Sequence, residues 1–191
     1  MTITSLPILF QRRNILPDGR LPIRIAPGTQ MDTLKMALDN GGMLGICMYD
    51  PDENQHFYEM GTRVKIEDFD AELVDGLLQV TVIGVDVFEA DAFLQAENGV
   101  CIADGKTLER WPETELSMTQ QLLADRLQIM YDKYPALSEL HDDKQLTNLS
   151  WLCQRWLEIL PVPLKDKQWL LARPSCADTC DYLMSMMNDP H

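Results

Sequence analysis

The sequence predicts an α+β fold in which a β-rich part comes first and a bundle of helices follows. Two patterns carry this prediction. Up to about residue 115 apolar side chains alternate with polar ones between turn-forming residues, whereas from Ser117 onward they recur at steps of three and four. We therefore expect a β-rich domain over residues 1–115 and a helical domain over residues 116–191.

Two short strands are expected first, over residues 6–10 and 21–25. The sequence Pro17-Asp18-Gly19 between them favours a tight turn, because proline and glycine readily adopt the backbone angles that such a turn requires. Pro22 lies inside the second strand and cannot donate a backbone hydrogen bond, so this strand is expected at the edge of a sheet.

A short helix over residues 31–40 should follow, with a cap from Thr29 and Asp32 at its start and Gly41-Gly42 at its end. Strands over residues 43–49 and 57–69 come next. The polar segment 50–54 between these two strands is expected to form a turn.

The strand expected over residues 77–88 changes phase along its length. Apolar side chains occupy even positions from 78 to 82 and odd positions from 83 to 87. A period of two cannot change phase without an inserted residue, and Gly84 stands at the change. We therefore predict a bulge at Gly84 in a curled, barrel-like sheet, and a hairpin turn at Asp75-Gly76 just before the strand.

Four short helices are expected in the second part. The first follows a capping box of Ser117 and Gln120 and ends at Pro135. The others are expected over residues 149–160, 165–172 and 175–187, separated by proline-containing or polar segments.

Composition excludes several classes of protein. The chain has 191 residues, 46% hydrophobic and 24% charged, which is typical of a globular protein, and no apolar run is long enough to cross a membrane. The N-terminus lacks the pattern of a signal peptide, so a cytoplasmic location is expected. The net charge of −14 opposes binding to nucleic acid or to an anionic membrane surface, because both require a basic surface.

Motifs for catalysis, metals and cofactors are missing. The sequence contains no phosphate-binding loop, dinucleotide fingerprint, serine-hydrolase elbow or zinc-protease motif, so we expect no enzyme activity and no cofactor. The five cysteines are odd in number and scattered, which favours reduced, buried thiols over disulfides. With only three histidines in the chain, no metal site is expected.

Four arginines form a small basic island in this acidic chain. Arg12, Arg13, Arg20 and Arg24 lie in a stretch whose only acidic residue before Asp32 is Asp18. Such a cluster is either a solvated face or a contact for carboxylates and other anions, and the sequence leaves both interpretations open.

Three ordered groups of motifs resemble the N-terminal substrate-binding domain of the Lon protease family in its stand-alone form. They are LPILF at 6–10 with LPDGRLPIRI at 16–25, GTRVKIEDF at 61–69 with DGLLQVTVIG at 75–84, and LPVPL at 160–164 with KQWLL at 167–171. The resemblance covers nearly the whole chain. The chain departs from the family at residues 26–30, where APGTQ replaces a segment that in the family often carries glutamate, arginine and tyrosine.

The resemblance implies a PUA-like pseudo-barrel followed by a helical bundle, and a non-catalytic module that binds unfolded or degradation-prone polypeptides. A separate protease or chaperone is a further candidate partner, since no ATPase or peptidase motif is present. We predict that Phe10, Arg12, Arg13 and Arg24 form the binding site, because basic residues there adjoin an apolar run. The alternatives are a PUA-like RNA-binding domain and a regulatory domain that binds a small ligand. The charge of −14 opposes the first of these alternatives.

Overall fold

The structure is a computed structural model that describes residues 1–49, 52, 57–74 and 77–189. The chain divides into two compact units, Met1–Glu109 and Arg110–His191, whereas the sequence pattern predicts a boundary at 115/116. Apart from Asp52, the turns expected at 50–54 and 75–76 lie outside the described residues.

The first unit contains a mixed sheet and one helix among its described residues. The elements are β1 (Thr2–Gln11), β2 (Arg20–Ile25), α1 (Thr29–Asp39), β3 (Met43–Tyr49), β4 (Phe57–Val74), β5 (Leu77–Gln95) and β6 (Cys101–Thr107). The strand order is β2-β5-β4-β3-β1-β6, and β5 also pairs with β6. This extra pairing closes five strands into a ring with β2 attached at the outside, so the predicted barrel-like sheet with an edge strand at residues 21–25 is confirmed.

The predicted bulge at Gly84 is also confirmed. Asp86 pairs with Arg63 and Gly84 pairs with Val64, so Val85 is the inserted residue. A Cβ atom on Gly84 would overlap the Leu16 carbonyl group. The Leu16–Gly19 turn lies against the bulge, where the Asp18 N–H donates to the Gly84 carbonyl and the Gly84 N–H donates to the Gly19 carbonyl, each at 2.9 Å.

Burial along β5 differs in part from the expected phase change. Ile83 and Val85 are half-buried rather than buried, and only Val87 of the expected odd-numbered set is buried. Buried even-numbered residues instead occur on both sides of the bulge. Those before the bulge and those after it belong to two different apolar clusters. Val80 and Val82 pack with Leu34 of α1, whereas Phe88 and Ala90 pack with Ile3 and Leu6 of β1.

The ends of α1 confirm one prediction and correct another. The expected cap from Thr29 is wrong, because Gly28 precedes the helix and Thr29 is its first residue. Gly41 and Gly42 do end the helix with positive φ angles of 73° and 81°, and the Gly42 N–H donates to the Ala37 carbonyl at 2.8 Å.

The described residues of the second unit form the four expected helices and one short extra helix. These are α2 (Gln121–Lys133), α3 (Pro135–Ser138), α4 (Leu149–Ile159), α5 (Leu164–Leu171) and α6 (Ala177–Asn188). The capping box is present, since the Ser117 N–H donates to Gln120 Oε1 at 2.8 Å and the Gln120 N–H donates to Ser117 Oγ at 3.4 Å. Among the described residues, no helix is long and apolar enough to span a membrane.

Candidate functional site

Phe10 lies near the end of β1 and forms part of an aromatic pair. In the parallel pairing of β1 with β3, Phe10 stands opposite Cys47. Its half-buried ring packs against Phe93 of β5, with 6.4 Å between ring centroids and planes tilted by 47°. Both rings pack against the cluster that contains Phe88, so a rigid core supports their outer surface.

Arg12 and Arg13 lie two and three residues after Phe10 in the chain and are exposed. The segment is fixed on both sides, because Leu9 before it is 3% exposed and Ile15 after it is 1% exposed. Two buried anchors six residues apart hold the intervening arginines at the surface. We call Phe10, Phe93, Arg12 and Arg13 the Phe10 patch.

Arg24, the fourth predicted site residue, lies on a different strand. It stands opposite Gln79 in the pairing of β2 with β5, and it is exposed between the buried Ile23 and Ile25. β2 is not a neighbour of β1 in the sheet. Phe10, Arg12 and Arg13 therefore share one segment at the end of β1, and Arg24 lies on the edge strand.

Arg20, the remaining member of the basic island, is paired with an acid. Its Nη2 atom lies 2.7 Å from Glu67 Oε1 of β4. The island is therefore not a continuous basic surface, and the ion pair reduces the net positive charge near β2.

Sequence reasoning missed Phe93. The ring lies beyond the strand expected over residues 77–88. In the structure β5 continues to Gln95 and pairs with β6, a strand that was not expected either. The adjacent Phe93-Leu94 pair was the available signal that the strand continues.

The cysteines of the helical unit form a buried cluster. A hydrogen bond from the Cys153 thiol lowers the pKa of Cys176 to about 6 and raises the pKa of Cys153. The Cys153 thiol also lowers the pKa of Cys180, and all three side chains are at most 3% exposed. In the described part of the chain, no group of three or more His, Cys, Asp or Glu side chains is arranged to hold a metal ion.

The tryptophans bear on the RNA-binding alternative. Trp151 and Trp156 belong to the core of the helical unit. Trp169 is 52% exposed and is covered on one side by the Arg173 guanidinium, 4.7 Å from its ring centroid. A stacking platform for single-stranded nucleic acid requires a row of accessible rings, so the two buried rings cannot contribute to one.

Comparison with known proteins gives consistent matches. The model of the substrate-binding domain of ATP-dependent protease La (LON) matches residues 5–189. Among solved structures, the chain is similar to the Lon N-terminal domain protein from Xanthomonas campestris, with 24% identity over 96% of this chain and 98% of that chain and a TM-score of 0.74. It is also similar to the N-terminal domain of the Mycobacterium avium complex Lon protease, with 18% identity over 98% of this chain and 100% of that chain and a TM-score of 0.68. At these identities the two structures show the fold alone. No curated protein sequence matches the chain.

Proposed function

The chain belongs to the Lon substrate-binding domain family, and from that premise we propose that it is a non-catalytic module that binds unfolded or degradation-prone polypeptides. The family places recognition, rather than ATP hydrolysis or peptide-bond cleavage, in this domain. A separate protease or chaperone would then act on the bound polypeptide. The cytoplasmic location stays a prediction from the sequence.

The observation that carries the proposal is the Phe10 patch on the β-rich unit. Two exposed arginines follow Phe10 within three residues along the chain, and Phe10 belongs to an aromatic pair that packs against the Phe88 cluster. An unfolded segment offers apolar side chains for the rings, and it offers carboxylates and carbonyl oxygens for the arginines. Arg24 supplies a further positive charge from the edge strand. A folded protein presents few such segments, so the patch favours unfolded chains.

The RNA-binding and small-ligand alternatives receive less support. The net charge of −14 opposes association with a phosphate backbone. Two half-buried rings also fall short of the row of accessible rings that single-stranded nucleic acid requires.

The test is a fluorescence anisotropy titration with lysozyme kept unfolded by reduction and carboxamidomethylation, carrying a fluorescein label. We expect saturable binding with a Kd below about 100 μM, equivalent to about 5.5 kcal/mol. Replacing Arg12, Arg13 and Arg24 with serine should weaken binding at least tenfold. The matched control replaces Lys35, Lys65 and Lys165, which are also exposed, with serine and removes the same charge elsewhere.

Two results would contradict the proposal. One is the absence of saturable binding by the wild-type chain up to about 100 μM. The other is an equal loss of binding in both triple variants, which would mean that only total charge matters. Binding of an RNA oligomer that weakens steeply with salt would favour the RNA alternative instead.

A further inference from the structure

The N-terminal half of β1 has a strand partner on one side only. β6 pairs with Thr2 and Ile3 and again with residues 6–8. β3 pairs with β1 only from Ile8 to Gln11. Within the described ranges, no strand pairs with residues 2–6 on the side that faces β3, so this half of β1 is an open sheet edge.

We call residues 2–6 of β1 the half-edge. Its backbone is oriented for pairing with a further strand. The Thr107 N–H donates to the Met1 carbonyl at 2.9 Å, and Ile3 stands two residues further along opposite Gly105. Backbone polar groups alternate in direction along an antiparallel strand, so those of Thr2 and the N–H of Thr4 point away from β6.

A bulge in the pairing of β1 with β6 lies just before the residues of β1 that pair with β3. The register with β6 shifts between Ile3 and Leu6, and Ser5 has a positive φ of 51°. The Ser5 N–H donates to Asp104 Oδ1 at 2.7 Å and fixes this conformation, which costs about 1 kcal/mol or more in a residue other than glycine. Bulges commonly bend a strand and end its pairing with a neighbour.

A pocket of about 230 Å³ opens beside the same half-edge. The pocket is lined by residues 1–6, together with Asn40, Met43 and Arg63. An engineered protein cavity of about 150 Å³ holds a benzene molecule, so this pocket has room for one aliphatic or aromatic side chain.

The charged side chain of the pocket is neutralised within the protein. Among the described residues that line the pocket, Arg63 alone has a charged side chain, and Asp86 holds its guanidinium through Nε at 2.9 Å and Nη2 at 2.5 Å. A charged guest side chain would lose hydration here without gaining a partner from this ion pair, so the pocket favours an uncharged one.

We propose that an extended segment of an unfolded polypeptide adds to the N-terminal half of β1 as an extra strand, with one apolar side chain in this pocket. That the ligand is an unfolded polypeptide rests on the proposed function. The new inference is that this polypeptide binds by strand pairing at the half-edge. Backbone pairing explains how a recognition domain can accept many sequences, because every extended peptide offers the same N–H and C=O groups. A folded protein has these groups already paired.

The test replaces Thr4 with proline, which removes the outward N–H and leaves the β6 ladder intact. Thr4→Ala keeps the N–H and is the matched control. With unfolded, carboxamidomethylated lysozyme as the probe, we expect Thr4→Pro to weaken binding at least fivefold and Thr4→Ala to stay within twofold of the wild type.

A second pair of variants keeps the test valid if Thr4→Pro does not fold. Asn40→Trp places a large ring at the rim of the pocket, whereas Lys35→Trp places it at an exposed position of α1 that does not line the pocket. Asn40→Trp should weaken binding at least fivefold, and Lys35→Trp should not.

The outcomes separate this inference from the proposed function. If the wild-type chain does not bind unfolded lysozyme, the proposed function fails. If it binds, and the arginine variant weakens binding while Thr4→Pro and Asn40→Trp do not, the half-edge proposal alone is wrong. A dimer that Thr4→Pro dissociates in sedimentation experiments would also overturn it, because a second copy would then occupy the edge.

Discussion

The helical unit buries a charged side chain more deeply than the β-rich unit does, where even the Arg63–Asp86 pair keeps 18% and 15% of its side chains exposed. In Met1–Glu109 the ion pair between Arg20 and Glu67 lies near the surface, with side chains 23% and 37% exposed. In Arg110–His191 the Arg155 side chain is 1% exposed and pairs with Glu158, which is 14% exposed. The Arg155 guanidinium also lies 5.2 Å from the ring centroid of Trp151.

This difference indicates what stabilises each unit. The closed ring of strands is fixed by backbone pairing and by aliphatic clusters, so its weak points are residues that set the register, such as Gly84. The core of the helical unit contains a guanidinium, and Lys167, whose pKa burial lowers, is 6% exposed. Its weak points are therefore side chains that compensate buried charge.

Removing Glu158 should have the largest effect on stability. Glu158→Ala leaves the Arg155 charge buried without this carboxylate, which typically costs about 3–5 kcal/mol of unfolding free energy. Urea denaturation at pH 7 measures the loss. The double variant Arg155→Met/Glu158→Ala should recover much of it, and a loss below about 1 kcal/mol in Glu158→Ala would contradict the buried-charge interpretation.

Gly84→Ala should have the next largest effect, in the β-rich unit. Its Cβ atom would overlap the Leu16 carbonyl and push the Leu16–Gly19 turn off the bulge, at a cost of about 3 kcal/mol. Gly41→Ala is the control, because Gly41 has a φ of 73° but no atom within 4 Å of an added Cβ, so only backbone strain of about 1 kcal/mol is expected. Equal losses in the two variants would argue against the close contact.

The same contrast between backbone pairing and buried charge explains which features of the structure the sequence predicts. Period-two patterns and glycines revealed the bulge, the edge strand and the end of α1, because backbone requirements appear as residue types at fixed spacing. The burial of Arg155 had no such signal, since a solvated and a compensated arginine look alike in sequence. Phe10, Arg12 and Arg13 could be grouped because they lie within four residues of one another, but Phe93 and the open half-edge of β1 depend on pairings between distant strands.

A smaller, pH-dependent effect is expected from Cys47. Burial, with a contribution from Cys101, raises the pKa of this thiol from 9.0 to about 12. The thiol therefore ionises in the unfolded chain before it does in the native protein. The contribution of the Cys47 thiol to the free energy of unfolding is fully present below pH 9 and is lost as the pH rises toward 12. At pH 10 the loss is about 1.4 kcal/mol.

The measurement compares the unfolding free energy at pH 8 and pH 10 for the wild type and for Cys47→Ala. The alanine variant has a lower stability at both pH values but should lose less between them. Identical pH dependence in both proteins would show that Cys47 does not carry the effect.

The smallest effect is expected at the surface pair of the β-rich unit. Glu67→Gln removes the charge opposite Arg20 and should cost less than about 1 kcal/mol, since both side chains are partly solvated. Denaturation in low salt and in 1 M salt provides the check, because screening should remove most of the difference. A cost comparable to that of Glu158→Ala would remove the contrast between the units.

Hydrogen–deuterium exchange of the full chain with and without saturating unfolded lysozyme tests most directly whether the β-rich unit holds the binding surface. We expect slower exchange in peptides from residues 1–109, including those that contain Phe10 and Thr4, and unchanged exchange in residues 110–191. Slower exchange confined to residues 110–191 would contradict it and place recognition on the helical unit.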